Sequence, residues 1–164
     1  MWRKDKFQMV SHNCGNGFLS VSGKFCNSND VYHLINVYSP CNFREKHQLW
    51  SNLEQWKNSS SDRLWCFLGD FNSVRASFER RGCENHGRFK EMQAFDTFIN
   101  KLNLLDLPLA SRRFTWIKGD GRTKSRLDRF LISPEWALTL PSLIQKGLKR
   151  VFVKKILLLT LARF

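Results

Sequence analysis

Gly69-Asp70-Phe71-Asn72 places a carboxylate and a carboxamide two positions apart, directly after the apolar run 64–68. That run predicts a buried strand. At its end Asp70 and Asn72 can point into one cleft while Phe71 points into the core. A carboxylate can orient or deprotonate a water, and a carboxamide can hold a charged oxygen without adding negative charge. These residues suit phosphodiester hydrolysis; the alternative is a turn in which both side chains bind only backbone groups.

Two other segments carry polar side chains that could join this site. Asn36-Val37-Tyr38-Ser39-Pro40 ends another predicted strand, and the Tyr38 hydroxyl could donate to a phosphate oxygen. Asp128 is the lone acid in the apolar strand predicted within 125–133. A buried carboxylate without a partner is strongly unfavourable. We therefore expect Asp128 to be paired, either within the site or with Arg126, Arg129 or a backbone amide.

The chain is strongly basic. Its 164 residues include 27 Lys and Arg against 14 Asp and Glu, a formal net charge of +13. This predicts a polyanionic partner, with nucleic acid the first choice, although a basic surface kept for solubility is the alternative. A hydrophobic content of 42% argues against disorder, and no apolar run is long enough to span a membrane. The five scattered cysteines contain no C-x-x-C pair, which indicates reduced intracellular thiols rather than disulfides or structural zinc.

The elements that position these residues follow from periodicity and turn signals. Short runs rich in β-branched and aromatic residues predict strands at 7–10, 17–22 and 31–38. Apolar residues at helical spacing predict helices over 43–57 and 89–102, and Ser133-Pro134 opens a third. Residues 114–117 and 125–132 are predicted as a hairpin. We interpret His33 as a structural histidine and Trp50 and Trp56 as core residues.

An ordered set of motifs resembles the endonuclease/exonuclease/phosphatase family, the superfamily of DNase I and the apurinic endonucleases. The motifs are VYSP at 37–40, LGDFN at 68–72, ERRG at 79–82, FTW at 114–116 and SRLDRFLIS at 125–133. Within the family they are most similar to the endonuclease domain of plant LINE-type non-LTR retrotransposons. The resemblance covers 1–141, predicted as a partial domain. Residues 142–164 are predicted as a divergent basic tail, for which a frameshift is one hypothesis.

The resemblance implies an α/β (α+β) fold, a four-layer sandwich of two mainly antiparallel β-sheets flanked by helices and incomplete at both ends. It also implies Mg²⁺-dependent cleavage of DNA. By the same resemblance Tyr38 contacts the phosphate and Asp70 activates the attacking water. Asn72, its partner, helps to hold water and phosphate, and Asp128 orients a catalytic histidine. The residues implied to bind the substrate are Thr115, Trp116, Ser125, Arg113 and Lys124, with Arg112, Lys118 and Arg122 as further phosphate contacts.

Parts of the family's catalytic set are missing from this sequence. The family has an Asn and a metal-binding Glu before the segment that begins here, and a Ser-Asp-His motif on its final strand, whereas no histidine follows His86. We therefore assign no metal ligand and expect a truncated, inactive endonuclease domain. The alternatives are a non-catalytic nucleic-acid-binding fragment, a decayed retroelement without a role, and a cellular repair endonuclease or phosphatase of the same fold.

The resemblance also carries expectations about partners and location. It implies DNA as the partner and a reverse transcriptase domain in the parent polyprotein. It further implies a monomer, without membrane contact, inside the cell and in the nucleus.

Overall fold

The computed structural model describes residues 5–26, 28–82, 88–110, 112–140, 143–147 and, for the backbone only, 159–162. The strands are β1 (Phe7–Gly15), β2 (Phe18–Phe25), β3 (Tyr32–Tyr38), β4 (Leu64–Asp70), β5 (Arg80–Arg81), β6 (Leu105–Asp106), β7 (Leu109–Ala110), β8 (Trp116–Ile117), β9 (Lys124–Ser125), β10 (Asp128–Ile132), β11 (Ile144–Gly147) and β12 (Leu159–Ala162). The helices are α1 (Phe43–Ser59), α2 (Phe89–Lys101) and α3 (Pro134–Thr139), and a short 3-10 turn spans Ser77–Glu79.

One six-stranded sheet forms the centre of the chain, in the order β1-β2-β3-β4-β10-β6. Neighbouring strands in it are antiparallel except β3 and β4, which run parallel and are joined by α1. A parallel pair requires such a crossover connection. Because β3 and β4 therefore end at the same edge of the sheet, the polar residues that follow them come together there.

The two faces of this sheet are covered differently. Helices α1 and α2 pack on the first face, in an apolar core whose buried members include Ile35, Trp65, Phe67, Leu53 and Phe95. The second face carries a smaller cluster, in which Tyr32, Cys66 and Ile132 pack against Trp136 of α3. Leu34 and Leu68 are only half-buried on this second face. The sheet is therefore sealed tightly on its helical side and partly on the other.

Two smaller sheets flank the central one. They have the orders β12-β11-β7 and β5-β9-β8. The second contains only part of the predicted hairpin: β8 and β9 pair antiparallel across a turn in which Gly121 adopts a φ of 68°. Glycine adopts such a positive φ without strain. The pairing carries Trp116 and Ser125 toward the same end of the molecule as the β3 and β4 carboxyl ends. The rest of the predicted second arm was wrongly placed, because Asp128–Ile132 forms β10 and pairs with β4 and β6 in the central sheet.

The elements predicted from periodicity are confirmed, with some differences in extent. The first strand was predicted to end at Val10 and instead runs to Gly15, because 11–15 pair with β2. Its polar residues are exposed, so they lack the apolar alternation that sequence patterns detect. His33 is structural, as predicted: its ring nitrogens lie 2.7 Å from Ser22 Oγ and from Asp62 Oδ2.

The predicted boundary between 141 and 142 lies outside the described residues, as do 148–158, and the two-part division stays a prediction. Within the predicted tail, β11 pairs in parallel with β7. No helix in the described ranges is long and apolar enough to cross a membrane.

Candidate active site

Tyr38, Asp70 and Asp128 form a row across three adjacent strands. Asp70 in β4 is the register partner of Tyr38 in β3 on one side and of Asp128 in β10 on the other. Register partners on neighbouring strands project from the same face with their Cβ atoms about 5 Å apart. Tyr38 is 62% exposed, and both carboxylates are half-buried. The sequence predicted each residue near a strand end, and the sheet pairing places them side by side.

Asn72 is held beside this row by a tight turn. Its backbone adopts a φ of 51°, and its N–H donates to Asp70 Oδ1 at 2.8 Å. The side-chain Nδ2 donates to the Ser39 carbonyl at 2.9 Å and contacts Cys41 Sγ at 3.5 Å. With both amide hydrogens engaged, Asn72 offers its Oδ1 oxygen, a hydrogen-bond acceptor. It therefore suits a water better than the phosphate oxyanion expected from sequence. Phe71, between the two, is fully buried as predicted.

Asp128 does not use the neighbouring guanidinium groups as its partners. Arg126 binds Asp106 at 2.7 Å and Glu79 at 3.2 Å, and Arg129 binds the same two carboxylates. The Asp128 carboxylate is instead hydrogen-bonded to Thr115, whose Oγ1 also accepts from the Asp128 backbone N–H at 3.0 Å. The alternative that Asp128 merely neutralises Arg126 or Arg129 is therefore not supported.

Burial raises the pKa of Asp128 to about 6. A hydrogen bond with Thr115 opposes this rise, and the negative charge of Asp70 adds to it. A carboxyl group whose pKa lies near neutrality can exchange protons under physiological conditions, and such groups are concentrated at functional sites. Asp128 therefore has the electrostatic character of a functional carboxylate rather than of a surface acid.

A cleft of about 900 Å³ lies beside the row. Asp70 and Asn72 line it together with Trp116, Phe43, the ion-paired Lys46 and Glu91, and three further basic residues: Arg80, Arg88 and Lys118. Basic side chains in a cleft attract and position phosphate groups. The cleft thus combines a positive lining with the carboxylate and carboxamide that the sequence identified.

The predicted substrate-binding residues occupy different places. Trp116 and Ser125 line the cleft, and Ser125 Oγ accepts a hydrogen bond from Arg80 Nε at 3.2 Å. Thr115 is only 5% exposed, and its hydroxyl accepts hydrogen bonds from the backbone N–H groups of residues 127 and 128. Arg113, which donates to the Phe78 carbonyl at 2.9 Å, and Lys124 lie outside the residues that line the cleft. Their roles toward a substrate stay predictions.

Lys46 and Glu91 are cleft residues that sequence reasoning missed. Lys46 lies in α1 and Glu91 in α2, and the two form a 2.7 Å ion pair beneath Asn72. A charged residue on an amphipathic helix is usually interpreted as solvent-exposed. The spacing of the sequence could have indicated that Lys46 is buried, because Lys46 lies at helical spacing from Phe43 and Trp50, on the apolar side of α1.

The donor set for a metal ion is incomplete. Mg²⁺ prefers oxygen ligands, and Asp70 together with Asn72 Oδ1 could supply two. Among the residues that the structure describes, however, no group of three or more His, Cys, Asp or Glu side chains could hold a metal. These residues do not form a metal site by themselves.

No family model matches the sequence, and no curated protein matches it significantly. The chain does match solved structures. The 3′ phosphatase NExo from Neisseria, bound to a product DNA hairpin, is 20% identical with a TM-score of 0.57, over 77% of this chain and 56% of that protein. The endonuclease domain of TRAS1, a telomere-specific non-LTR retrotransposon, is 16% identical with a TM-score of 0.58, over 85% of this chain and 61% of the domain.

Beta toxin from Staphylococcus aureus, in an F277A, P278A mutant with bound magnesium ions, is 14% identical with a TM-score of 0.56. The alignment covers 88% of this chain and 55% of the toxin. This chain therefore spans less than two thirds of the length of these three proteins. The similarities show that it has the DNase I-like α/β sandwich fold of endonuclease/exonuclease/phosphatase proteins, which confirms the predicted fold class.

Proposed function

We propose that this chain is part of a Mg²⁺-dependent DNA endonuclease domain from a LINE-type retroelement, and that its cleft binds a DNA phosphodiester. The observation that carries the proposal is the row of Tyr38, Asp70 and Asp128 beside a cleft with a basic lining. The order of the sequence motifs and the similarity to a retrotransposon endonuclease domain support the same function.

Each residue of the row has a role that its surroundings permit. The exposed Tyr38 hydroxyl donates to a non-bridging phosphate oxygen. Asp70 accepts a hydrogen bond from the attacking water and orients it, and Asn72 Oδ1 accepts a second one from the same water. Asp128, with its raised pKa, orients a histidine that other residues of the domain supply. When bound, Mg²⁺ would stabilise the charge that develops on the phosphate.

We further propose that the 164-residue chain binds DNA but does not turn it over usefully. It contains no histidine after His86 to work with Asp128, and loss of a general acid or base lowers rates by about 10²–10⁴. The parent polyprotein would carry a reverse transcriptase domain and act as a monomer in the nucleus. A site-specific nick in Mg²⁺ that disappears in Asp70→Ala would overturn the proposed inactivity.

DNA binding through the cleft is tested by two arginine variants with the same change in net charge. Arg88 lines the cleft, whereas Arg63 precedes β4 at the opposite end of the sheet. We expect Arg88→Ala to weaken binding of a labelled duplex and to reduce the slope of log K against log salt by about 1. Arg63→Ala should leave both quantities unchanged. Equal losses in both variants would mean that DNA binds without using the cleft.

A further inference from the structure

The ion pair between Lys46 and Glu91 is buried at the floor of the cleft. The Lys46 side chain is 3% exposed and that of Glu91 17%, with 2.7 Å between Nζ and Oε1. Lys46 Nζ also donates to the Asn72 carbonyl at 2.6 Å. Replacing a buried ion pair by well-packed apolar groups is often neutral or stabilising. Stability alone therefore does not account for this pair, and its contact with Asn72 points to another role.

The contacts of Asn72 show what the pair could control. Its N–H is bound to Asp70, its carbonyl to Lys46, and its Nδ2 to the Ser39 carbonyl. Among the described residues, no hydrogen-bond partner contacts Asn72 Oδ1. A non-glycine residue at a φ of 51° persists only when its surroundings hold it there. The Lys46 ammonium supplies a charge-assisted hydrogen bond for that purpose.

Glu91 also binds the residue that follows Asn72. Ser73 is fully buried, and its hydroxyl donates to Glu91 Oε1 at 2.9 Å. Glu91 therefore neutralises Lys46 and also anchors the turn one residue further along. Helices α1 and α2 together hold both Asn72 and Ser73.

We propose that the Lys46–Glu91 pair is a positioning device that holds Asn72 in its left-handed conformation and keeps Oδ1 available to the water that Asn72 and Asp70 hold beside the substrate. The inference rests on the proposed function, because that function identifies the substrate as a DNA phosphodiester. Lys46 is a positioning residue here: it acts through Asn72 and does not itself contact the substrate.

The chain contains a matched control pair on the same two helices. Lys101 at the end of α2 binds Glu54 of α1 at 3.2 Å, and the Lys101 side chain is 58% exposed. Along the helices this pair lies eight and ten residues beyond Lys46 and Glu91, or about 12–15 Å at the helical rise per residue. It joins the same elements without contacting Asn72.

The test compares Lys46→Met/Glu91→Gln with Lys101→Met/Glu54→Gln. Both double variants leave the net charge unchanged, so nonspecific attraction to DNA is preserved. Because Asn72 Oδ1 reaches the substrate only through the water that it holds with Asp70, displacement of Oδ1 removes a water-mediated contact. By fluorescence anisotropy with a labelled duplex, we expect the first to weaken binding by up to about tenfold and the control to stay within about twofold. Adding Asn72→Ala to the first should weaken binding no further than Asn72→Ala alone, because the pair acts through Asn72.

A second measurement does not depend on DNA. In NMR hydrogen exchange, the Asn72 backbone and side-chain amides should exchange faster in Lys46→Met/Glu91→Gln and at the wild-type rate in the control. If that double variant does not fold, Lys46→Arg keeps a cation for the Asn72 carbonyl and should preserve slow exchange. Unchanged exchange in the folded double variant, or fast exchange in Lys46→Arg, overturns the proposal.

The binding data separate this inference from the proposed function. If Arg88→Ala leaves DNA binding unchanged, the proposed function is contradicted. The exchange rates at Asn72 still decide whether Lys46 positions Asn72. Binding losses that add fully to those of Asn72→Ala contradict the positioning role and leave the proposed function intact.

Discussion

The two faces of β10 hold buried charges in opposite ways. Arg129 is fully buried on the helical face, where two carboxylates, Glu79 and Asp106, bind it. Asp128, one position earlier, lies on the other face opposite a second carboxylate, Asp70. The first arrangement compensates charge, whereas in the second burial and the charge of Asp70 outweigh the hydrogen bond of Thr115 and disfavour ionisation of Asp128. One strand thus carries a compensated buried charge on one face and a carboxylate with a raised pKa on the other.

The pKa shifts follow this division. Burial opposes ionisation of Glu79, but the hydrogen bond and charge of Arg129, with the Arg75 N–H and the charge of Arg126, hold its pKa below the ordinary value. For Asp128, burial raises the pKa to about 6. Folding therefore stabilises the ionised form of Glu79 and destabilises the ionised form of Asp128, relative to the unfolded chain.

The largest loss of stability should follow from removing one of the two carboxylates that bind Arg129. Glu79→Ala leaves Arg129 buried with one carboxylate instead of two and removes an acceptor of the Arg75 N–H. Losing one partner of a buried ion pair typically costs about 3–5 kcal/mol. We expect urea denaturation to show a loss of that size.

Glu135→Ala is the matched control, because Glu135 pairs with Arg63, whose side chain is 75% exposed. A surface pair contributes less than about 1 kcal/mol. Comparable losses in Glu79→Ala and Glu135→Ala would mean that the β10 ion pairs add nothing beyond surface charge, which would break the comparison.

On the uncompensated face, Asp128→Asn should stabilise the fold at pH 7. The folded pKa of about 6 exceeds the ordinary pKa of an aspartate, 3.8. The unfolded chain therefore loses this proton first, and the stability of the wild type falls as the pH rises from about 4 to about 6. A difference of about two units corresponds to about 3 kcal/mol. Asp128→Asn should remove this pH dependence in urea denaturation.

Asp120→Asn provides the control of opposite sign. A hydrogen bond from the Thr123 N–H is the main cause that lowers the pKa of Asp120, with Arg122 and Lys118 contributing. Its ionised form therefore favours the folded state, and Asp120→Asn should not stabilise the chain at pH 7. Stabilisation by both variants would indicate a general effect of lowering negative charge rather than the burial of Asp128.

These contrasts show where sequence reasoning succeeds. Asp128 was identifiable because an acid in an apolar strand requires an explanation, and Asp70 because it follows a buried strand. The paired roles of Glu79 and Asp106 were not identifiable. They lie 50 and 23 positions from Arg129 in the chain, and only the tertiary fold brings them to it.

The same reasoning explains what was found and missed at the cleft. Helices α1 and α2 followed from periodicity, since their apolar residues face one core. Lys46 lies on that apolar side, but its partner Glu91 is 45 residues away. The left-handed φ of Asn72 likewise depends on Ser39 and Lys46, which local propensity does not include. Sequence thus predicted the elements and the residue types, while long-range contacts determine which groups are available for chemistry.

The smallest effect concerns the repulsion between the two carboxylates of the row. Asp70→Asn removes the charge opposite Asp128 and should lower the pKa of Asp128 without restoring its ordinary value, because burial is the larger cause. Two charges about 5 Å apart near water interact by about 1 kcal/mol, so the variant should be stabilised by about that amount at pH 7. NMR titration of the Asp128 carboxyl carbon measures the shift directly. A return to the ordinary pKa would mean that repulsion by Asp70, and not burial, raises the pKa of Asp128. The difference between the two faces of β10 would then come only from which charged residue lies opposite on the neighbouring strand.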